Sequence, residues 1–353
     1  MSVQAEKEKG SSFTGGLLGR VMRNRDTYMT LLLLVIITAA FMFLPRFGHP
    51  RTITFLVLDI SAILLMALPM TLVMIAADID LSVASTAGLS SAVFGVMIEG
   101  GIPLVLACVI CLAIGVACGA FNGLMSAYVG LPALAVTIGT LALYRGLALV
   151  VIGEHAIAKF PAEATALTTG TFGKTGIPFI AVLLVVFIVI FAWLLHWSPW
   201  GRQLFALGYS SEAARFVGID TRKTRATALV ISGAMAALAG IYWTLRYSSA
   251  RADSAEGLEL TVIAAVVFGG VSVFGGKGSI WGSVCGVLTV GVITTALRQN
   301  RVPDYILVMI TGLLLIVSVV GPSLVDAWKQ WRHRSEIAAK AAKSPSRPEK
   351  VRA

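Results

Sequence analysis

Residues 201–218 read GRQLFALGYSSEAARFVG, the centre of a polar, charged stretch (198–225) that separates the apolar runs at 177–197 and 225–246. Outside this stretch the chain is almost continuously apolar. Hydrophobic residues make up 57% of it and charged residues 13%, with a mean hydropathy of +0.86, whereas a soluble domain carries about 25% charged residues. A chain of 353 residues this apolar fits a polytopic membrane protein with an all-α fold. The 35 glycines suit closely packed or broken membrane helices.

Working outward from 198–225, runs long enough to span hydrocarbon lie at 28–45, 53–75, 81–98, 102–128, 133–152, 177–197, 225–246, 258–275, 279–297 and 303–321. About ten transmembrane helices are therefore expected. The third and eighth runs are short and rich in Gly and Ser, as in a half-span or re-entrant segment. The chain divides into an N-terminal arm (1–27), a transmembrane domain (28–322) and a basic tail (323–353).

The net charge of +10 is not spread evenly. Most basic residues fall in the arm, in 198–225 and in the tail from Lys329. That distribution follows the positive-inside rule and fits attraction to anionic lipid, not nucleic-acid binding. It puts both termini and 198–225 in the cytoplasm, and 153–176 outside. No cleavable signal precedes the first run.

Polar residues within apolar runs are the candidates for function, because an Asp at the bilayer centre costs roughly 2.5–3.5 kcal/mol on insertion scales. Asp78 and Asp80 flank the junction of two runs, in AADIDLSVAS over 76–85. Asp80 or Ser82 could cap the following helix; alternatively the segment is a broken helix lining a pathway. The two carboxylates are expected on different faces. Asp59 lies near one end of the second run, where it either snorkels or faces the bundle. Arg145 is expected to reach a cavity or a carboxylate. Asn122, Thr137 and Thr140 can hydrogen-bond between helices. This set suits a neutral polyhydroxylated solute better than an ion.

No catalytic or metal constellation stands out. The four histidines are scattered, without the i,i+4 spacing of a zinc helix. Three of the four cysteines (Cys108, Cys111 and Cys118) share one apolar run without His or carboxylate neighbours and read as packing residues. The segment TTGTFGKT over 168–175 lacks the first Gly of a phosphate-binding loop and has no strand before it. GGVSVFGGKGS over 269–279 lacks the Gly-Lys-Ser/Thr ending.

Taken in order, DIDLSV (78–83), NG (122–123), LP (131–132), TIGT (137–140), RG (145–146), the 201–218 stretch, GLEL (257–260), IAA (263–265) and GGVSVFGGKGS (269–279) resemble the permease subunits of ribose-type ABC importers. Branched-chain amino acid permeases are a more distant branch of that group. The resemblance covers about residues 28–322. It implies an inner-membrane permease for a sugar or sugar-like solute of the ribose, rhamnose or autoinducer-2 type. Its partners would be a cytosolic ABC ATPase subunit, a second permease copy or paralogue, and a periplasmic sugar-binding protein. The chain itself would be no enzyme and bind no cofactor, with ATP and Mg on the ATPase. By the same likeness 198–225 is the coupling loop that docks on the ATPase, with Ser210, Glu212, Ala213, Ala214, Arg215 and Gly218 forming and stopping a short helix. Ser210 or Ser211 would be its N-cap, the small Ala213 and Ala214 would seat in a cleft, and Arg215 would meet an acidic rim. Glu259 joins the tentative pathway set of Asp59, Asp78, Asp80, Ser82, Asn122, Thr137, Thr140 and Arg145. The family usually has Gly-Gly where this chain has Ala77-Asp78, and Gly at Ala84. An ion-coupled secondary transporter using Asp59, Asp78 and Asp80 is the alternative, and it would not need the 198–225 stretch.

Overall fold

The computed structural model describes residues 25–320 apart from positions 174, 304, 318 and 319. Most of the N-terminal arm and all of the basic tail lie outside the described residues. Within them the chain is helical, with only isolated bridges between Ile157 and Ala250 and between Thr171 and Pro178.

The helices are α1 (Arg25–Phe43), α2 (Pro50–Ile75), α3 (Val83–Glu99), α4 (Leu104–Gly123, continued by a π-helical turn at Leu124–Val129), α5 (Ala133–Ile152), α6 (Ala162–Thr169), α7 (Ile180–His196), α8 (Pro199–Tyr209), α9 (Ser211–Phe216), α10 (Thr221–Tyr247), α11 (Leu258–Phe268), α12 (Ile280–Gln299) and α13 (Tyr305–Val317). Each of the ten expected runs contains one of these helices. Six helical stretches are long and apolar enough to cross a membrane, and α7 with α8, bent by 65° at their junction, makes at most a seventh. α3, α11 and α13 are apolar but shorter. The shortfall from ten has local causes. Residues 76–82 interrupt the chain before α3. In the eighth run the Gly269-Gly270 pair stops α11, so 269–275 is apolar loop, not helix.

α2 and α10 form the centre. The most apolar windows of these helices are 78% and 72% buried, against 17% for α1 and 28% for α4. Such peripheral, apolar surfaces suit contact with lipid. α4 approaches α10 along Gly115, Gly119 and Gly123, where an added Cβ would strike the backbone at Gly233, Leu229 and Ala226. Small residues four apart let two helix backbones meet without intervening side chains.

Helix ends sort into two sets. At what we term the proximal end, the Gly276 N–H donates to the Ile75 carbonyl (2.9 Å), Ser279 Oγ to Asp26 (2.5 Å) and Thr137 Oγ1 to the Ile79 carbonyl (3.1 Å). At the distal end, Thr54 Oγ1 donates to the Gly176 carbonyl (2.6 Å), Gln299 Nε2 to Thr52 Oγ1 (3.1 Å), and Ile157 pairs with Ala250.

Candidate functional site

The proximal end holds both the break after α2 and the 198–225 stretch. α2 stops at Ala77, whose φ of 64° is left-handed. The Ala77 N–H bonds the Met74 carbonyl (3.0 Å) and the Asp78 N–H the Val73 carbonyl (3.1 Å). This is a Schellman stop, usually built on glycine, because a side chain is strained at that φ. Ala77 occupies it here.

Beyond the stop the two carboxylates separate in role. Asp78 pairs with Arg225 near the start of α10 (2.6 Å), and the arginine side chain is 28% exposed. Asp80 is buried. Its Oδ1 accepts from the Ser82 N–H (3.0 Å) and hydroxyl (2.7 Å), and its Oδ2 from the Ser232 hydroxyl (2.7 Å). Asn122 Nδ2 donates to Ser82 Oγ (2.8 Å), so α4 also holds this turn. Every oxygen of the buried carboxylate has a donor, as a charge in a low-dielectric site requires. Ser82 is the N-cap of α3, but its side chain makes no cap bond; the carboxylate two residues earlier holds its N–H instead. The expectation that Asp78 and Asp80 face different ways is corrected: both reach α10, at positions seven residues apart and so on one helix face. An irregular segment is not bound to the alternation of a strand.

The remaining sequence candidates fall in two places. Thr137 joins the break through Ile79, whereas Thr140 Oγ1 donates to carbonyls of its own helix, Val136 (3.1 Å) and Thr137 (3.4 Å). Arg145 does not meet a carboxylate. Its Nη1 donates to the carbonyls of Ala252 (2.7 Å) and Ser254 (2.9 Å), fixing the non-helical segment 248–257 before α11. In the same segment Arg251 forks Asp253 (2.8 and 2.9 Å), which holds that carboxyl below the usual carboxylate range. Asp59 faces the bundle at the distal end, between Arg246 (3.4 Å) and Arg298 (3.2 Å). Glu259 is half-buried in the first turn of α11, where a negative charge suits the helix dipole.

The 198–225 stretch is not loop but two helices and the start of a third. α9 has the expected boundaries. Ser210 is its N-cap, with Oγ accepting the Ala213 N–H (3.2 Å), and Glu212 lies in the first turn. Gly218, at φ 83°, completes a Schellman stop, with its N–H on the Arg215 carbonyl and the Ile219 N–H on the Ala214 carbonyl (both 3.0 Å). One expectation fails: Ala214 is buried in the chain's own fold, while Ala213 is exposed. Arg215 is exposed, and its Nε donates to Thr221 Oγ1 (3.0 Å) at the start of α10. A six-residue helix packed on its own protein has one free face, and Ala213 lies on it while Ala214 does not.

The sequence reading missed the apolar surface beside that face. Phe216 is 92% exposed and Val217 76%. An aromatic-aliphatic pair inside a polar stretch outside the spans was the available signal. It also missed the junction behind α9. Gly208 of α8 lies against the Ile75 carbonyl and the Gly276 N–H so closely that a Cβ would collide with both. Among the described residues no group of His, Cys, Asp and Glu could hold a metal ion.

The family described as branched-chain amino acid transport system / permease component matches residues 52–319. The autoinducer 2 import system permease protein LsrC of Escherichia coli O9:H4 (strain HS) is 35% identical over 303 residues, covering 85% of this chain and 88% of the relative. The protein of the same name from Salmonella choleraesuis (strain SC-B67) is 36% identical over 266 residues, covering 75% and 76%. No solved structure gives a significant match.

Proposed function

This chain belongs to the branched-chain amino acid transport system permease family, and on that premise we propose that it carries an autoinducer-2-like or related sugar-like solute across the bacterial inner membrane as the permease of an ABC importer. Relatives named for autoinducer 2 import support this solute class over a branched-chain amino acid. A separate cytosolic ATPase supplies the energy, with ATP and Mg bound there. This chain binds no cofactor and performs no catalysis. A second permease copy or paralogue and a periplasmic sugar-binding protein complete the complex.

The sorted helix ends support ten crossings within 28–322. α1, α2, α3, α4, α5, α7, α10, α11, α12 and α13 alternate in direction between the proximal and distal ends, with α3 shortened by the irregular segment before it and α11 by the apolar loop after it. The basic residues put the proximal end, both termini and the tail (323–353) in the cytoplasm. Asp80, Ser82, Asn122 and Thr137 act by holding the broken segment in shape; Asp78 ties it to α10.

The observation that carries the coupling role is α9: a short helix, capped at both ends, that presents Ala213, Phe216 and Val217 outside every candidate span. The test is uptake of autoinducer-2 by proteoliposomes containing the complex. Ala213→Glu, on an exposed position, should abolish ATP-dependent uptake while the permease stays folded in the membrane. Normal uptake by that variant, or uptake by wild type without the ATPase, overturns the proposal.

A further inference from the structure

At the distal end a cleft of about 370 Å³ opens between α2, α10, α12, α13 and the start of α11. Asp59, Arg298 and Glu256 bring charge to its lining, Thr294 and Thr295 bring hydroxyls, and Trp243 and Tyr247 form an aromatic wall with ring centroids 4.7 Å apart. None of these groups takes part in the break or in α9.

We propose that this cleft is a solute site within the membrane domain, and that its ligand is a neutral polyhydroxylated molecule of about monosaccharide size. The inference rests on the permease reading above and adds to it the place where solute is held.

Size gives the first constraint. The volume lies near the lower end of the roughly 300–1,000 Å³ range of small-molecule sites, which excludes a peptide. Charge gives the second. Asp59 sits between Arg298, which lines the cleft, and Arg246, which does not, so its charge is already compensated, and Glu256 is exposed to solvent. A ligand bearing several hydroxyls finds acceptors and donors side by side there. The aromatic wall is the third. It gives the apolar face of a sugar ring a surface to cover, and tryptophan and tyrosine combine such a face with a polar tip. Finally, α11 begins at the cleft with Gly257 as its N-cap, at φ 80°. The Leu258 N–H is taken by the Ala255 carbonyl (3.2 Å), and glycine has no side chain to cap the N–H groups that follow it. A short helix starting inside the membrane domain after a non-helical segment is the arrangement in which transporters build solute sites.

Gly312 of α13 provides the test. It lines the cleft, and a Cβ there would meet no atom within 4 Å. The backbone there accepts a side chain, and Gly312→Leu is designed to occupy the space, with an unchanged melting temperature as the check that the fold is kept. Gly139→Leu, at an equally open position on α5, is the control. Saturation-transfer NMR on the permease in nanodiscs, without binding protein or ATPase, should detect autoinducer-2 or D-ribose on wild type and on Gly139→Leu but not on Gly312→Leu. In the full complex Gly312→Leu should lower uptake at least tenfold, while loaded binding protein still stimulates ATP hydrolysis. No transfer to either probe on wild type, or wild-type uptake by Gly312→Leu, overturns the proposal and leaves the cleft to lipid. Binding that Gly312→Leu abolishes, alongside uptake that ignores the ATPase, supports the cleft and overturns the ATP-driven reading instead.

Discussion

Phe216 and Val217 offer the sharpest perturbation of the proposed docking. Phe216 is 92% exposed and Val217 76%, so nearly all their apolar area is available to a partner and almost none contributes to this chain's own fold. Full burial of a side chain of this kind is worth about 1.5–3 kcal/mol. Taking about 2 kcal/mol for Phe216→Ala, at 1.4 kcal/mol per decade of affinity, the ATPase should bind roughly 30-fold more weakly. Adding Val217→Ala at about 1.5 kcal/mol brings the loss to roughly 300-fold. Thermal stability of the isolated permease should stay within about 0.5 kcal/mol of wild type, as for other surface changes. Ala214→Glu behaves differently, because it buries a carboxylate at a position 2% exposed; it should lower stability whether or not an ATPase is present. Titrating the cognate ATPase subunit onto nanodisc-embedded permease gives the affinities. A double variant that binds within threefold of wild type would show that this surface is not the docking surface.

Two further predictions concern the break. Asp80→Asn keeps the shape but removes the charge that accepts three hydrogen bonds. Bonds to charged groups contribute about 1.5–3 kcal/mol and neutral ones about 0.5–1.5, so the variant should lose about 1–3 kcal/mol and melt several degrees lower by differential scanning fluorimetry. Asp78 is itself buried but its partner Arg225 is 28% exposed, so Asp78→Asn leaves a guanidinium that water can still reach and should lose about 1 kcal/mol or less; equal losses at the two sites would contradict that difference. Ala77→Gly relieves a left-handed conformation, at φ 64°, that costs a non-glycine residue about 1–2 kcal/mol. The greater freedom of glycine in the unfolded chain returns about 0.4–1 kcal/mol. A net gain of about 0.5–1 kcal/mol is expected, and a lower melting temperature would refute the strain argument.

Sequence made the local features legible and left the long-range ones hidden. Hydropathy located the ten runs that contain helices, and residue type narrowed the ends of α9 to Ser210 or Ser211 and Gly218, because caps depend on neighbours a few positions away. The length of α11 was not legible from hydropathy, since an apolar loop such as 269–275 scores like a helix; the Gly269-Gly270 pair was the only mark of its end. Partners distant in sequence were out of reach. Nothing near Arg145 indicates that its bonds go to backbone carbonyls, and nothing near Asp78 or Asp80 indicates that α10 receives both. Gly115, Gly119 and Gly123 did carry a readable signal of close helix approach, one that composition alone does not reveal.

Those hidden contacts decide how α9 connects to the membrane domain. On one side α9 follows α8, whose Gly208 abuts the Ile75 carbonyl and the Gly276 N–H. On the other side it leads into α10, whose Arg225 holds Asp78 and whose Ser232 holds Asp80. The two helices flanking α9 therefore meet the two sides of the stop: α8 the last residue of α2, and α10 the segment that follows it. At Gly208 no side chain lies between the backbones, and close-packed contacts of this kind transmit displacement rather than absorb it. At Asp78 and Asp80 the link is an ion pair and a charge-assisted hydrogen bond, which fix direction as well as distance. On the proposed docking, a force applied at Phe216 and Val217 would reach the end of α2 through Gly208 and the broken segment through Arg225 and Ser232, and that double link depends on small residues at Gly208 and Gly276 as much as on the charged groups.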